Sequence, residues 1–200
     1  DADVELVPTH LWSVRLADGI ITRLTQTDDN VWDFDWAPDG KRFVLRITDT
    51  PRIDESYMTS RLALLPATGG DPIPFAPTVG KLEQPRFSPD GSHVAWLGAT
   101  SANDPFAGTV FVAPLAGGTP RALTTAESGC ATGFDWVDST TLLYAASRGT
   151  ATALVTVSRS GGRLRNVATN GPVFVASQDT EWMGMVGGDR VDLGSCGAEL

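Results

Sequence analysis

The sequence predicts an all-β protein, a β-propeller of four-stranded antiparallel blades, from three observations. First, an aromatic-x-Pro-Asp-Gly turn recurs as Trp36-Ala37-Pro38-Asp39-Gly40 and Phe87-Ser88-Pro89-Asp90-Gly91, with a weaker copy at Trp136-Val137-Asp138-Ser139. Second, a glycine turn interleaves with it: Ala17-Asp18-Gly19, Thr68-Gly69-Gly70, Ala116-Gly117-Gly118 and Ser160-Gly161-Gly162. The steps from Gly19 through Gly70 and Gly118 to Gly162 are 51, 48 and 44 residues. Third, the segments between turns alternate polar and apolar with the period of a strand.

Before the first full unit, residues 10–15 and 20–25 read as the last two strands of a blade (half blade 9–25). The first blade spans 31–75. In 31–36, strict alternation puts Trp32, Phe34 and Trp36 on one face and Val31, Asp33 and Asp35 on the other. Pro38-Asp39-Gly40 turns the chain: proline presets φ, aspartate bonds nearby backbone, and glycine accepts positive φ. Residues 42–48 return as the second strand, 49–59 form a polar loop, and 61–65 and 73–75 finish the sheet. The second blade, 82–124, repeats the order with strands at 82–87, 93–97, 109–114 and 121–124. The third, 131–168, has strands at 131–136, 141–145, 153–157 and 164–167. Its first turn lacks the proline and glycine and is expected to take another shape. A second half blade, 171–187, holds strands at 173–177 and 181–186, and residues 187–200 show no strand pattern.

Three blades and two halves allow two arrangements. The halves pair and close a four-bladed ring, or residues 1–200 are a segment of a larger propeller, possible oligomers forming through its open edges. We favour the segment, because blades of this length build larger rings and neither end carries a capping device. The chain starts at Asp1 rather than Met, which leaves room for an upstream segment.

A net charge of −9 disfavours nucleic acid, which needs clustered Lys and Arg. Arg159, Arg163 and Arg165 form the one basic cluster and read as a solvated edge. No apolar run approaches the roughly 18 residues of a membrane-spanning helix. Cys130 and Cys196 have no zinc-ligand spacing, and whether they pair is open, as is the compartment.

The pattern strand, aromatic-x-Pro-Asp-Gly, strand, strand, Gly-Gly, strand, Leu-Thr resembles the TolB-like (PD40) propeller repeat, with Leu24-Thr25 and Leu123-Thr124 closing units. More narrowly, it resembles the N-terminal propeller of bacterial prolyl-oligopeptidase-family (S9) serine peptidases of the acylaminoacyl-peptidase type. The stretches carrying this are Thr9-His10-Leu11-Trp12 through Arg23-Leu24-Thr25, Asp33 to Arg42, Gln84 to Gly91, and Asp104-Pro105-Phe106-Ala107-Gly108. The resemblance covers most of residues 9–186. It implies a non-catalytic propeller that gates and orients peptide substrates for a C-terminal α/β-hydrolase domain carrying a Ser-Asp-His triad. A TolB-like binding scaffold without a hydrolase is the alternative.

No catalytic residue is expected within the chain. A nucleophile elbow needs Gly-x-Ser-x-Gly, and Gly194-Ser195-Cys196-Gly197 sets its first glycine one residue too close. His10 and His93 lie in expected strands without an evident acid partner and read as structural. Neither cofactor nor metal is expected: Asp28, Asp29, Asp33, Asp35 and Asp39 are the best metal candidates, but Ala37 and Pro38 break the ligand series. Asp54 and Glu55 are candidates for the ammonium of a peptide N-terminus, since some dipeptidyl-peptidase relatives use a propeller acid pair. That pair precedes an aromatic-x-Pro-x-Gly strand, whereas Asp54-Glu55 follows one, so a solvated loop is the favoured reading. Arg52 is a candidate for a substrate carboxylate or a partner of Asp54. Trp32, Trp36 and Trp136, with Phe34 and Phe134, are expected in blade-to-blade packing, each contributing about 2 kcal/mol or more.

Overall fold

The computed structural model describes residues 6–104, 107–124, 129–148, 151–171, 173–176 and 183–186. Three four-stranded antiparallel sheets follow one another along the chain. The first is β3 (Asn30–Trp36), β4 (Arg42–Thr48), β5 (Arg61–Pro66) and β6 (Ile73–Ala76). The second is β7 (Leu82–Phe87), β8 (His93–Gly98), β9 (Thr109–Pro114) and β10 (Arg121–Ala122). The third is β11 (Cys130–Asp138), β12 (Thr141–Arg148), β13 (Ala151–Ser158) and β14 (Arg165–Gly171). Flanking them are two-stranded sheets, β1 (Trp12–Val14) with β2 (Ile21–Arg23), and β15 (Val173–Ala176) with β16 (Met183–Val186). Among the described residues the two half sheets do not pair with each other. This is the propeller with the expected blade count. Residues 187–200, Cys196 among them, lie outside the described residues.

Each blade hides a face it cannot cover alone. Successive side chains of a strand point to opposite faces. Phe43, Leu45 and Ile47 of β4 therefore pack back onto Leu11 and Leu24 of the half blade. Val44 points forward onto Phe87, Val94 and Trp96 of the second blade. Ala95 and Leu97 pass the pattern on to Phe134, Trp136 and Tyr144 of the third. The core is thus a series of layers between blades.

The Leu-Thr closure has a physical basis. Leu24 N–H donates to the Leu11 carbonyl and Thr25 Oγ1 accepts from Leu11 N–H, at 2.8 and 3.2 Å. In the next blade Leu123 and Thr124 make the same two bonds to Val110, at 2.8 and 3.0 Å. Both threonines are buried. Thr124→Val keeps the shape but strands the Val110 N–H, so we expect a loss of about 1–3 kcal/mol in urea unfolding. An unchanged midpoint would show that the hydroxyl contributes nothing to the closure.

Three features depart from the sequence expectations. The 49–59 loop contains a short helix, α1 (Ile53–Met58). Its N-terminus is held by Glu55, whose carboxylate accepts the Thr50 N–H at 3.0 Å and the Thr50 hydroxyl at 2.6 Å. The strict alternation in β3 fails because the register slips between Val31 and Asp33, making Trp32 a bulge. Val31, Phe34 and Trp36 then share one face, while Trp32 turns to the side of Arg46. Slips recur in β7 between Glu83 and Arg86, and in β11 between Ala131 and Gly133.

The third departure concerns the aromatics. Trp136 is 3% exposed and Phe87 5%, but Trp36, at the same place in its blade, is 55% exposed. Phe34 is 48% exposed against 7% for its counterpart Phe134. Trp136 has a complete blade before it, whereas among the described residues Trp36 has only the outer strands β1 and β2. Those strands cover the outer part of the β4 face and leave Trp36 and Phe34 resting on Phe43, with ring centroids 4.9 and 6.2 Å away.

Candidate functional site

The bulges place unlike side chains together at one end of the first two blades. β3 begins there, β4 ends there, α1 connects β4 to β5 there, and β7 begins there. Between them lies a pocket of about 320 Å³ lined by Trp32, Asp33, Arg46, Ile53, Ser56, Tyr57, Glu83, Gln84 and Arg86. Its volume falls at the small end of ligand sites.

Arg46 is the central group. It sits on β4 between buried Leu45 and Ile47, and its guanidinium carbon lies 5.8 Å from the Trp32 ring centroid. Nη1 donates to the Leu82 carbonyl of the next blade at 2.7 Å, while Nε is buried with no acceptor. Burial lowers its pKa from the ordinary value, opposed by Asp33, Glu83 and Tyr57. Arg86 is engaged differently, with Nη1 2.7 Å from the Pro85 carbonyl and 3.5 Å from Asp33 Oδ1. Gln84 has φ of 52°, the one positive value among described residues other than glycine. The Lys81 ammonium lies 4.8 Å from the Tyr57 ring centroid.

Arg86 of the pocket wall shares its place with Asp35 and Asp135: the three occupy the same position in three successive blades, each preceding the aromatic of its turn. Asp35 Oδ2 accepts the Phe87 N–H at 2.7 Å, and Trp136 Nε1 reaches the Arg86 carbonyl at 3.4 Å. Burial raises both aspartates above the usual carboxylate value, against the pull of the neighbouring N–H groups and Arg86. The folded state therefore holds their protons more tightly than the unfolded chain. Stability from this source is present below the ordinary value near 4 and falls as pH rises through the raised one. Asp135→Asn removes the charge at every pH. Its stability should equal that of the wild type at about pH 4 and exceed it as pH rises above that, the gap levelling off once the folded carboxyl has ionised. A gap that opened on acidification instead would contradict this account.

The sequence candidates fall as follows. Arg52 is the N-cap of α1, Asp54 lies in its first turn, and both are exposed without an ion pair among described residues. Glu55 is tied to Thr50, so the three do not converge on the pocket, although α1 contributes Ile53, Ser56 and Tyr57 to its wall. The acidic group disperses. Asp29 pairs with Arg61, Asp33 accepts the Phe34 N–H at 2.8 Å, and Asp39 accepts the Lys41 N–H at 2.9 Å. Among the described residues no three acids, histidines or cysteines are grouped to hold a metal. His10 Nδ1 lies 3.2 Å from Arg23 Nη2, and burial followed by Arg23 lowers its pKa. His93 Nδ1 is 2.8 Å from Ser92 Oγ, but the acid, Asp90, takes its bond from that serine at 2.7 Å. A catalytic triad sets the acid on the far nitrogen of the imidazole. This cluster, with Arg159 Nη1 3.1 Å from Asp90 and 2.7 Å from the Ser139 carbonyl, pins a turn to the next blade.

The pocket itself went unread in the sequence. One signal for it was present: Arg46 interrupts the apolar run Phe43-Val44-Leu45-Arg46-Ile47, and an arginine buried in a strand needs a reason.

No family model matches the sequence, and no curated protein matches it. Solved structures do. An oligogalacturonate lyase in complex with manganese matches with TM-score 0.69 and 18% identity over 90% of this chain. TolB from Acinetobacter baumannii matches with TM-score 0.54 and 17% identity over 78%. A puromycin-hydrolyzing peptidase from Mycobacterium tuberculosis matches with TM-score 0.62 and 19% identity over 92%. The chain spans 54%, 39% and 35% of those three chains respectively. These likenesses show a TolB-like propeller fold.

Proposed function

We propose that this propeller is the non-catalytic domain of a serine peptidase of the prolyl-oligopeptidase type, admitting and orienting peptides for an α/β-hydrolase domain outside residues 1–200. The observation that carries this reading is the match of 92% of the chain to about a third of the puromycin-hydrolyzing peptidase. In this role the propeller acts by position. It narrows the approach to the hydrolase and presents polar groups at its mouth. Arg52 and Asp54, exposed on α1, are the side chains we assign to passing substrate, with Glu55 holding the helix in place.

The likeness to TolB supports a second reading, a protein-binding scaffold with no hydrolase attached. A fluorophosphonate probe on the full polypeptide separates the two. Under the peptidase reading the probe labels one serine in a Gly-x-Ser-x-Gly context and blocks hydrolysis of aminoacyl p-nitroanilides. A full polypeptide that takes no label and cleaves none of these substrates sinks the first reading and leaves the second.

A further inference from the structure

We infer that the pocket between β3, β4, α1 and β7 binds a small zwitterion, a dipeptide or free α-amino acid, with its carboxylate on Arg46 and its ammonium at Glu83. The inference rests on the pocket alone and does not require a hydrolase domain.

Two charged groups in the pocket lack an ion-pair partner among the described residues, and they are of opposite sign. Arg46 has no carboxylate within salt-bridge distance among the described residues, and its one hydrogen bond there goes to a backbone carbonyl. The Nε–H is sealed in the protein without an acceptor, and a guanidinium so poorly answered from within is stabilised by a carboxylate that reaches its remaining N–H groups. The other cation, Arg86, already lies beside Asp33. Glu83 stands exposed at the rim, and its carboxylate makes no hydrogen bond or ion pair among the described residues. A cation inside and an anion at the mouth match a ligand carrying both charges. A simple anion would meet Asp33 and Glu83 as well as Arg46. A simple cation would leave Arg46 unanswered and be repelled by it.

The rest of the lining suits the backbone and side chain of such a ligand. The Tyr57 hydroxyl and the Gln84 amide make no hydrogen bond among the described residues and are available to a peptide group. Trp32 and Ile53 offer an apolar wall. Trp32 also lies against the Arg46 guanidinium, which helps fix the plane for a two-pronged carboxylate contact. The positive φ of Gln84 is unfavourable for a residue with a side chain and bends β7 at the rim. About 320 Å³ is room for a small ligand and not for a folded segment.

The test is calorimetric titration of the full polypeptide with the dipeptide Ala-Phe, its C-terminal amide and its N-acetyl form. Ala-Phe should bind, and each blocked form should bind at least about 10-fold more weakly. Glu83→Gln should remove the discrimination against the N-acetyl form, and Arg46→Met the discrimination against the amide. Glu83 is exposed, so its variant reads out binding even if Arg46→Met perturbs the fold. No heat with Ala-Phe, equal binding of the blocked forms, or discrimination unchanged in Glu83→Gln would each overturn the assignment. The last result would place any peptide binding elsewhere, including in a hydrolase domain, and leaves the peptidase reading untouched.

Discussion

Trp136→Ala should lower the stability of the propeller by about 3–5 kcal/mol, the range for emptying a buried tryptophan site. The side chain is nearly inaccessible, packs in the layer between the second and third blades, and reaches the Arg86 carbonyl through Nε1. Its removal leaves a cavity lined from both blades, which neither can refill without shifting whole strands. Trp36→Ala, the same substitution one repeat earlier, should cost only about 1 kcal/mol, because half of that ring is already in water. Urea unfolding of the two variants checks the pair. Equal losses would show that the layers between blades do not carry the stability we assign to them.

Gly69→Ala should cost about 2–3 kcal/mol, for two reasons acting together. Gly69 has φ of 83°, a region that side chains disfavour. A Cβ there would also lie 2.8 Å from the Leu24 carbonyl oxygen, which is backbone and cannot swing aside. That oxygen accepts the Gly70 N–H at 2.8 Å, and Gln26 N–H returns a bond to the Gly70 carbonyl at 3.2 Å. The turn is thus the clamp that holds the end of β2 on the first blade. Gly19→Ala is the control: its φ is 71° but nothing lies within 4 Å of the added carbon. It should lose only the conformational part, about 1 kcal/mol. If both variants unfold at one urea midpoint, the clash is relieved and the clamp is softer than its geometry implies.

The fold was legible because its punctuation is local. Proline, aspartate and glycine set turn geometry within four residues, and repetition shows which turns are equivalent. The Leu-Thr closure was visible as a pattern, while its cause, a hydroxyl receiving a strand N–H 14 residues back, needed the structure. The bulges were not legible. A strand that inserts one residue keeps its composition and only resets its phase, so alternation counted through Trp32 put that ring on the wrong face. The pocket lay further out of reach. Its lining comes from β3, β4, α1 and β7, brought together by the stacking of two blades, and no short window holds more than a part of it. The solvent exposure of Trp36 depends on a neighbour and not on the residue, so its own sequence context could not show it.

That exposure also gives the molecule an internal gauge. Trp36 and Trp136 occupy equivalent positions in water-facing and sealed surroundings, so their fluorescence reports two states of one site within one chain. Any strand pair that stacks on the β3 face, whether from the same polypeptide or another, will move the Trp36 emission to shorter wavelength and leave Trp136 where it is. With Trp12, Trp32, Trp96 and Trp182 replaced by phenylalanine, assembly at that flank can therefore be followed optically, without a label.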